Sequence, residues 1–420
     1  MNRRQNFGSP TNPEVLQAII KAGETYSIIA SQDIVDVRGL KLWAKGQAVS
    51  AALQQRLLDR KLLRPLEACL AVEDGVTLFS LHADLQAQLD GDSSLALALR
   101  PWAPVLLQHV KQLPLHSVAQ LLLTTALATR PDTLPHAVAA MALAGAMACG
   151  RSALVDTRLA MLGGLLHDIG EVYIQPQYLD FEGALDLIGH KHLVVHPRLA
   201  QMMLSSITDY PETLCRAIGE HHERHDGSGY PARLVGPNCS ELGRLLAVVE
   251  VTAGILRGGH APLTRASFAL RVVPGEFDPQ WASFINNLAR AVDEVPPDSP
   301  AAPQARQGSP LASIEQRIEQ GQQLLATLKA QGRVGSILEI VETALARLNR
   351  LQVAWNALGF WGADAKELSR AEQFELALAH KELQQRLSQL QRECLLLSER
   401  LGQLEKTWIE PLWRGILLER

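Results

Sequence analysis

Two clusters of histidine and acid constrain this chain more than any other feature: LLHDIGE at 165–171 and HHERHDGSGYP at 221–231. Both sit among apolar, helix-like segments, and ionised side chains are costly to bury unless paired. A fold that accepts them is expected to bring the clusters together around shared cations. An adjacent His-Asp pair at a helix end offers an imidazole for one metal and a two-oxygen carboxylate that can bridge two. Mixed imidazole and carboxylate ligation suits Fe, Mn or Zn better than Ca or Mg alone. A bridging carboxylate would hold two ions roughly 3.5–4 Å apart, where they acidify a shared water and clamp a phosphoryl group. A lone His-Asp dipeptide is a weak signal, whereas His-His followed by DGSGYP is far more specific.

The rest of the chain reads mainly as helix. It has 420 residues, 47% hydrophobic and only 5% aromatic, which leaves room for two or three domains rich in Leu and Ala. Residues 1–15 read as a loose polar tail. Residues 16–78 read as a small α+β module, with short apolar runs broken by Asp and Gly and then the helix SAALQQRLLDRKLL capped by Ser50. Residues 79–291 read as a helical domain, in which LPHAVAAMALAGAMACG is a close-packing helix and DTRLAMLGGLLHDIG another, ending near Gly170. Residues 292–311 are rich in Pro, Ser and Ala and read as a linker. Residues 312–420 read as a C-terminal helical bundle or coiled coil. There Leu376, Leu383, Leu387, Leu390, Cys394, Leu397, Leu401, Leu404 and Trp408 follow a heptad seam with one skipped position at His380. The seam serves either self-association into a homodimer or packing on the chain's own helices near 313–331 and 335–357.

Composition also excludes function classes. A net charge of −4, with acids and bases mixed, does not fit general DNA binding. Five scattered cysteines without a C-x-x-C pair give neither a disulfide scaffold nor a cysteine zinc site. MNRRQNFGSP lacks an apolar signal core, and LAVVEVTAGIL is too short to span a bilayer. A cytoplasmic protein without a membrane span is expected.

HDIG, HPRLA and HHER-x-DGSGYP together resemble the HD-GYP subgroup of the HD phosphohydrolase superfamily, over about His136 to Glu250. The resemblance implies an all-helical bundle with two divalent transition metals, or three, Fe or Mn foremost. It implies cyclic di-GMP hydrolysis to linear pGpG or GMP by a metal-bridged hydroxide, with His167 and Asp168 as the catalytic pair. The metal ligands it implies are His136, His167, Asp168, His196, His221, His222 and Glu250. Asp132 resembles the extra carboxylate of three-metal members, although a helix-terminal acid beside Pro131 and Pro135 explains it equally. Gly229, Tyr230, Pro231 and Arg257 are implied on the substrate side, with Gly227 and Gly229 permitting unusual backbone angles. His190 and His192 lie outside the pattern and are expected to face solvent.

Three departures from the family bear on catalysis. Glu171 stands where the family has a phosphate-facing lysine, so it either repels phosphate, ligates metal or accepts a proton. Glu250 replaces an aspartate and reaches one methylene farther. Positions that carry basic residues in the family fall on Gly259 and Pro262, with Arg257 and Arg265 close by as replacements. An active phosphodiesterase is therefore set against a degenerate module that binds nucleotide or a protein signalling partner, with hydrolysis of another phosphoester third.

Overall fold

A computed structural model describes residues 12–57, 59–179, 187–294, 310–359 and 368–412. The chain is mainly α, with a few short strands near its start. It divides into two compact units, one of residues 1–184 and 192–257, the other of 185–191 and 258–420.

The first unit opens with helix α1 (Pro13–Ala22), so part of the expected tail is helical; residues 1–11 lie outside the described residues. Asn12 caps α1 by accepting from the N–H groups of Glu14 and Val15, while Val15, Leu16, Ile19 and Ala22 form its buried face. Strand β1 (Ile28–Ala30) pairs antiparallel with β4 (Leu70–Val72), and β2 (Ile34–Val35) with β3 (Lys41–Trp43). The buried Asp36 carboxylate tightens the β2–β3 turn by accepting from Arg38 and Leu40 N–H, each at 2.9 Å. Helix α2 (Ala51–Leu57) completes this α+β module.

The helices that follow are α3 (Leu78–Asp90), α4 (Ser94–Leu99), α5 (Ala103–Val110), α6 (Ser117–Thr129), α7 (Thr133–Cys149) and α8 (Thr157–Leu166). Then come α9 (Pro176–Leu179), α10 (Leu187–Leu193), of which 187–191 belong to the second unit, α11 (His196–Ile207), α12 (Glu212–Glu220) and α13 (Glu241–Leu256). Small residues run along the interior of α7, including Ala140, Ala144 and Ala148, all fully buried. A Cβ at Gly164 of α8 would lie 2.5 Å from the Ala140 carbonyl oxygen. Only glycine permits that approach of α7 and α8, the two helices that present His136 and His167.

The α+β module is part of this unit rather than an appendage. Val76 N–H donates to the buried Thr124 hydroxyl of α6 at 2.9 Å, and the Tyr173 hydroxyl donates to Glu67 at 2.7 Å.

The second unit contains α14 (Pro262–Ala269), α15 (Pro279–Val292), α16 (Pro310–Ala330), α17 (Ser336–Ala357), α18 (Arg370–Ser398) and α19 (Gln403–Ile409). The sequence alone attaches residues 258–291 to the preceding helical domain; here they group with the C-terminal helices. The reason is apolar burial, since Phe268, Val272 and Val273 share a core with Ile340, Val341 and Leu383. Most of the expected linker, residues 295–309, lies outside the described residues. Seam residues Leu383, Leu387, Leu390 and Cys394 are buried in the same core. The seam is not one uninterrupted helix, because α18 ends at Ser398 and Leu404 beyond it is 63% exposed. Buried Arg347 pairs with Glu393, and Arg386 with Glu276 at 3.1 Å and with Glu382. Among the described residues, no helix is long and apolar enough to cross a membrane.

Candidate metal centre

Helix ends aim the side chains. The sequence suggests a helix to about Gly170, but α8 stops at Leu166 and a 3₁₀ turn, Ile169–Tyr173, takes over. His167 still has helical angles, while Asp168 at φ −92°, ψ 7° turns its carboxylate inward from the junction. His196 opens α11, and His221 and His222 follow the last residue of α12. Glu250 lies within α13 and His136 within the first turns of α7.

These seven residues form two groups that share Asp168: His136, His167, Asp168 and Glu250, and Asp168, His196, His221 and His222. In each group the candidate donor atoms lie within 4.8 Å of one another. The Asp168 carboxylate divides between them. Its Oδ2 is 3.1 Å from His167 Nε2 and 3.4 Å from His136 Nε2, and its Oδ1 is 3.4 Å from both His196 and His221 Nε2. Glu250 Oε2 is 2.9 Å from His167 Nε2 and 4.0 Å from His136 Nε2. The methylene that lengthens Glu250 over an aspartate thus still delivers its oxygen to the first group.

Backbone carbonyls fix the rings. His167, His196 and His221 each place Nδ1 against the carbonyl three residues back, on Gly164, Leu193 and Ile218, at 2.8, 2.7 and 2.6 Å. With Nδ1–H donating there, each Nε2 points to the centre as an acceptor, the arrangement that orients imidazole ligands on metals. His196 and His221 then face each other with Nε2 atoms 3.1 Å apart. Two neutral rings in this tautomer would oppose lone pairs, which a proton on His196 or a metal ion shared by the two rings reconciles. His136 Nε2 is buried without a hydrogen-bond partner among the described residues, and an orphan of that kind needs an explanation. A donor set of five imidazoles and two carboxylates with such orphaned atoms fits divalent transition metals.

Electrostatics follow from this crowding. Burial pushes Asp168 up, but His167, His136 and His196 outweigh it and hold the carboxyl well below the usual range. Burial lowers His167, yet Asp168 and Glu250 lift it well above an ordinary imidazole; His196 is raised by Asp168 in the same way. Burial keeps His221 and His222 low.

The other sequence candidates occupy different places. Asp132 holds the N-cap position of α7, makes no side-chain capping bond and belongs to neither donor group. Glu171 belongs to neither group either; its carboxylate accepts from Arg130 Nη1 at 2.6 Å. Tyr230 stacks on His222, rings 4.5 Å apart and inclined 19°, while Pro231 is exposed. Gly227 has φ +80°, but Gly229 is needed for space, since a Cβ there would lie 2.4 Å from Arg224 N and His222 O. Arg257 Nε donates to His136 Nδ1 at 3.2 Å. Gly259, Pro262 and Arg265 belong to the second unit, where Arg265 donates to the Gly258 carbonyl at 2.5 Å. His192 is exposed and stacks on Tyr178, but His190 is half-buried, against expectation, and burial with Arg392 brings it down to about 4.

A cavity of about 410 Å³ adjoins the first donor group, lined by His136, Asp168, Arg130, Glu171 and Arg257, by apolar Leu134, Leu165 and Ile169, and by residues of α1. A second, of about 760 Å³, shares Arg130, His136 and Arg257 and adds Asp132. Sequence reasoning missed Arg130 and α1, for neither carries a motif. It also missed Glu220 and Glu223, both buried. Glu223 accepts from Ala232 and Leu234 N–H at 2.6 and 2.9 Å and so holds the loop behind Tyr230. Glu220 accepts from Ser240 N–H and hydroxyl at 2.8 and 2.6 Å, fixing the start of α13. Acids beside the paired histidines were the only available signal for these two.

Residues 122–253 match the HD domain family. The chain is similar to a cyclic di-GMP phosphodiesterase of Pseudomonas aeruginosa, 34% identical over 156 residues, 35% of this chain and 37% of that protein. It is also similar to the 3'3'-cGAMP-specific phosphodiesterase 3 of Vibrio cholerae, 32% identical over 87 residues, 21% of this chain and 19% of that one. A cyclic di-GMP phosphodiesterase response regulator of Xanthomonas campestris pv. campestris is 32% identical over 102 residues, 24% of this chain and 27% of the regulator. The chain thus spans well under half the length of these curated relatives. No solved structure matches. With its HD pair, paired histidines and GYP loop near one shared centre, the middle of the chain, residues 122–253, matches the HD domain family and is similar to phosphodiesterases of its HD-GYP branch.

Proposed function

We propose that the chain is a metal-dependent phosphodiesterase that hydrolyses cyclic di-GMP to linear pGpG or GMP. The observation that carries this reading is the division of Asp168 between two imidazole groups, one carboxylate oxygen to each. A pair of divalent transition ions, Fe or Mn foremost, would be held by His136, His167 and Glu250 on one side and by His196, His221 and His222 on the other. Bound there, such ions supply water activation at neutral pH and charge stabilisation on phosphoryl oxygens.

The chain's own residues do the positioning. Carbonyl bonds from three imidazoles keep their Nε2 atoms converged. Tyr230 covers one face of His222 and restricts solvent on that side. Arg257 sets a guanidinium beside His136 in the cavity, suited to a phosphodiester anion, while Arg130 offsets the charge of its partner Glu171. The likeness to enzymes named for cyclic di-GMP and for 3'3'-cGAMP supports a cyclic dinucleotide as substrate class. The degenerate-module reading rests on the charge reversal at Glu171, and the Arg130 partner weakens that ground.

Incubation of the Mn- or Fe-loaded protein with cyclic di-GMP, and in parallel with 3'3'-cGAMP, tests the proposal. Linear product from cyclic di-GMP is expected, with activity reduced at least a hundredfold by Asp168→Ala. Tight binding without product from either dinucleotide would favour the non-catalytic module. Turnover of a simple phosphodiester alone would point to a different substrate.

A further inference from the structure

The cavity beside the metal centre has a wall that no motif announces. Glu14, Gln17, Ala18 and Lys21 of α1 line it together with His136 and Asp168. Their i, i+3, i+4, i+7 spacing is one face of a helix, and Val15, Leu16, Ile19 and Ala22 bury the other. The helix is anchored by its apolar face and by Glu14. Its apolar side is fully or almost fully buried, and Gln175, just past the 3₁₀ turn that follows Asp168, donates to Glu14 at 3.2 Å. Gln17 and Lys21 are exposed side chains pledged to no packing role.

We propose that α1 is the substrate-specificity wall of the site: Gln17 and Lys21 contact the part of the substrate that extends beyond the scissile phosphate. This rests on the phosphodiesterase reading above. The distribution of chemistry along the cavity supports it. His136 and Asp168 bring metal donors to the cavity, Arg130 and Arg257 line it as well, and Leu134, Leu165, Ile169 and Val172 add apolar surface for a base. Helix α1 adds the Lys21 ammonium and the Gln17 carboxamide, while the Glu14 carboxylate of the same face is engaged by Gln175. A minimal diester needs only the residues around His136 and Asp168. A cyclic dinucleotide carries a second phosphate and a second base, for which a cation and a hydrogen-bonding amide on α1 are the fitting partners.

The test uses the full chain loaded with Mn, with Gln17→Ala and Lys21→Glu as variants. Both side chains are exposed, so folding is retained. Against cyclic di-GMP, Lys21→Glu should raise KM about tenfold and Gln17→Ala severalfold, with metal content equal to wild type. Relative to a small diester such as bis(p-nitrophenyl) phosphate, kcat/KM for the dinucleotide should fall at least fivefold further. Equal losses on both substrates would assign α1 a purely structural role, and wild-type kinetics in both variants would remove α1 from the site; either result overturns the proposal. A wild-type protein that turns over neither substrate would instead overturn the phosphodiesterase reading itself.

Discussion

If Glu171 repels substrate phosphate, Glu171→Lys should improve substrate binding; if it ligates metal, the same change should weaken binding or lose metal. The Glu171 carboxylate, however, accepts from Arg130 at 2.6 Å, both side chains being about one-fifth exposed. Burial and the nearby Asp168 charge push Glu171 up, and Arg130 works against both. A lysine at 171 would face the Arg130 guanidinium, and two like charges at about 4 Å repel by several kcal/mol at an effective dielectric near 20. Glu171→Lys is therefore expected to lose about 1–3 kcal/mol of stability in urea denaturation. The exchanged pair, Arg130→Glu with Glu171→Lys, should recover more than half of that. A double variant no better than either single one would show that the contact is incidental. This pairing marks the limit of legibility at the residue scale. All seven candidate donors could be named because most are reactive side chains in recognisable strings and His136 and Glu250 follow from their spacing to those strings in the resemblance. Arg130 could not, since an arginine after an apolar helix looks like any solvated end until the fold sets it against residue 171.

At the scale of elements, the loop from His222 to Leu234 is a clamp built from short contacts. Tyr230 lies on His222, its N–H donates to the His222 carbonyl at 3.1 Å, and the Glu223 carboxylate accepts from two N–H groups on the returning strand of the loop. Burial raises the Glu223 carboxyl, and those backbone donors partly offset it. Glu223→Ala strands both N–H groups and should cost about 2–6 kcal/mol, at about 1–3 for each donor, and less where water reaches them. Glu223→Gln keeps one acceptor oxygen and should restore part of it. If the loop covers the metal side, turnover falls further than stability in Glu223→Ala; an unchanged kcat on the folded variant would place the loop outside catalysis. The sequence reading located helices well where apolar patterning was long, as over α7 and the start of α8, and erred at ends. It ran α8 on to Gly170, because nothing in LLHDIG marks where a helix yields to a 3₁₀ turn. It read the C-terminal seam as continuous, because Gly402 falls inside a heptad pattern that the leucines alone sustain.

For the whole molecule, the division at Arg257 and Gly258 leaves every candidate ligand among the described residues in the first unit. Hydrophobic patterning could not reveal this, for α14 and α15 have apolar faces that suit either neighbour. The division has a thermodynamic consequence. Metal that binds the folded first unit stabilises it by RT ln(1 + [L]/Kd), about 2.7 kcal/mol at a hundredfold excess over Kd, and leaves the second unit as it was. The effect has a definite pH sign. His167 and His196 are held above the ordinary imidazole range by Asp168 and its neighbours. In the metal-free protein they contribute stability that is fully present below the unfolded value of about 6.5 and is lost as pH rises through the folded pKa. Both must also release that proton before Nε2 can bind a cation. Raising pH thus weakens the metal-free first unit and favours the metal-bound one. In calorimetry, Mn should raise one of two unfolding transitions, by more at pH 8 than at pH 6, while the other stays fixed. An equal shift of both, or a shift that shrinks as pH rises, would mean that the ions bind elsewhere than at His167 and His196.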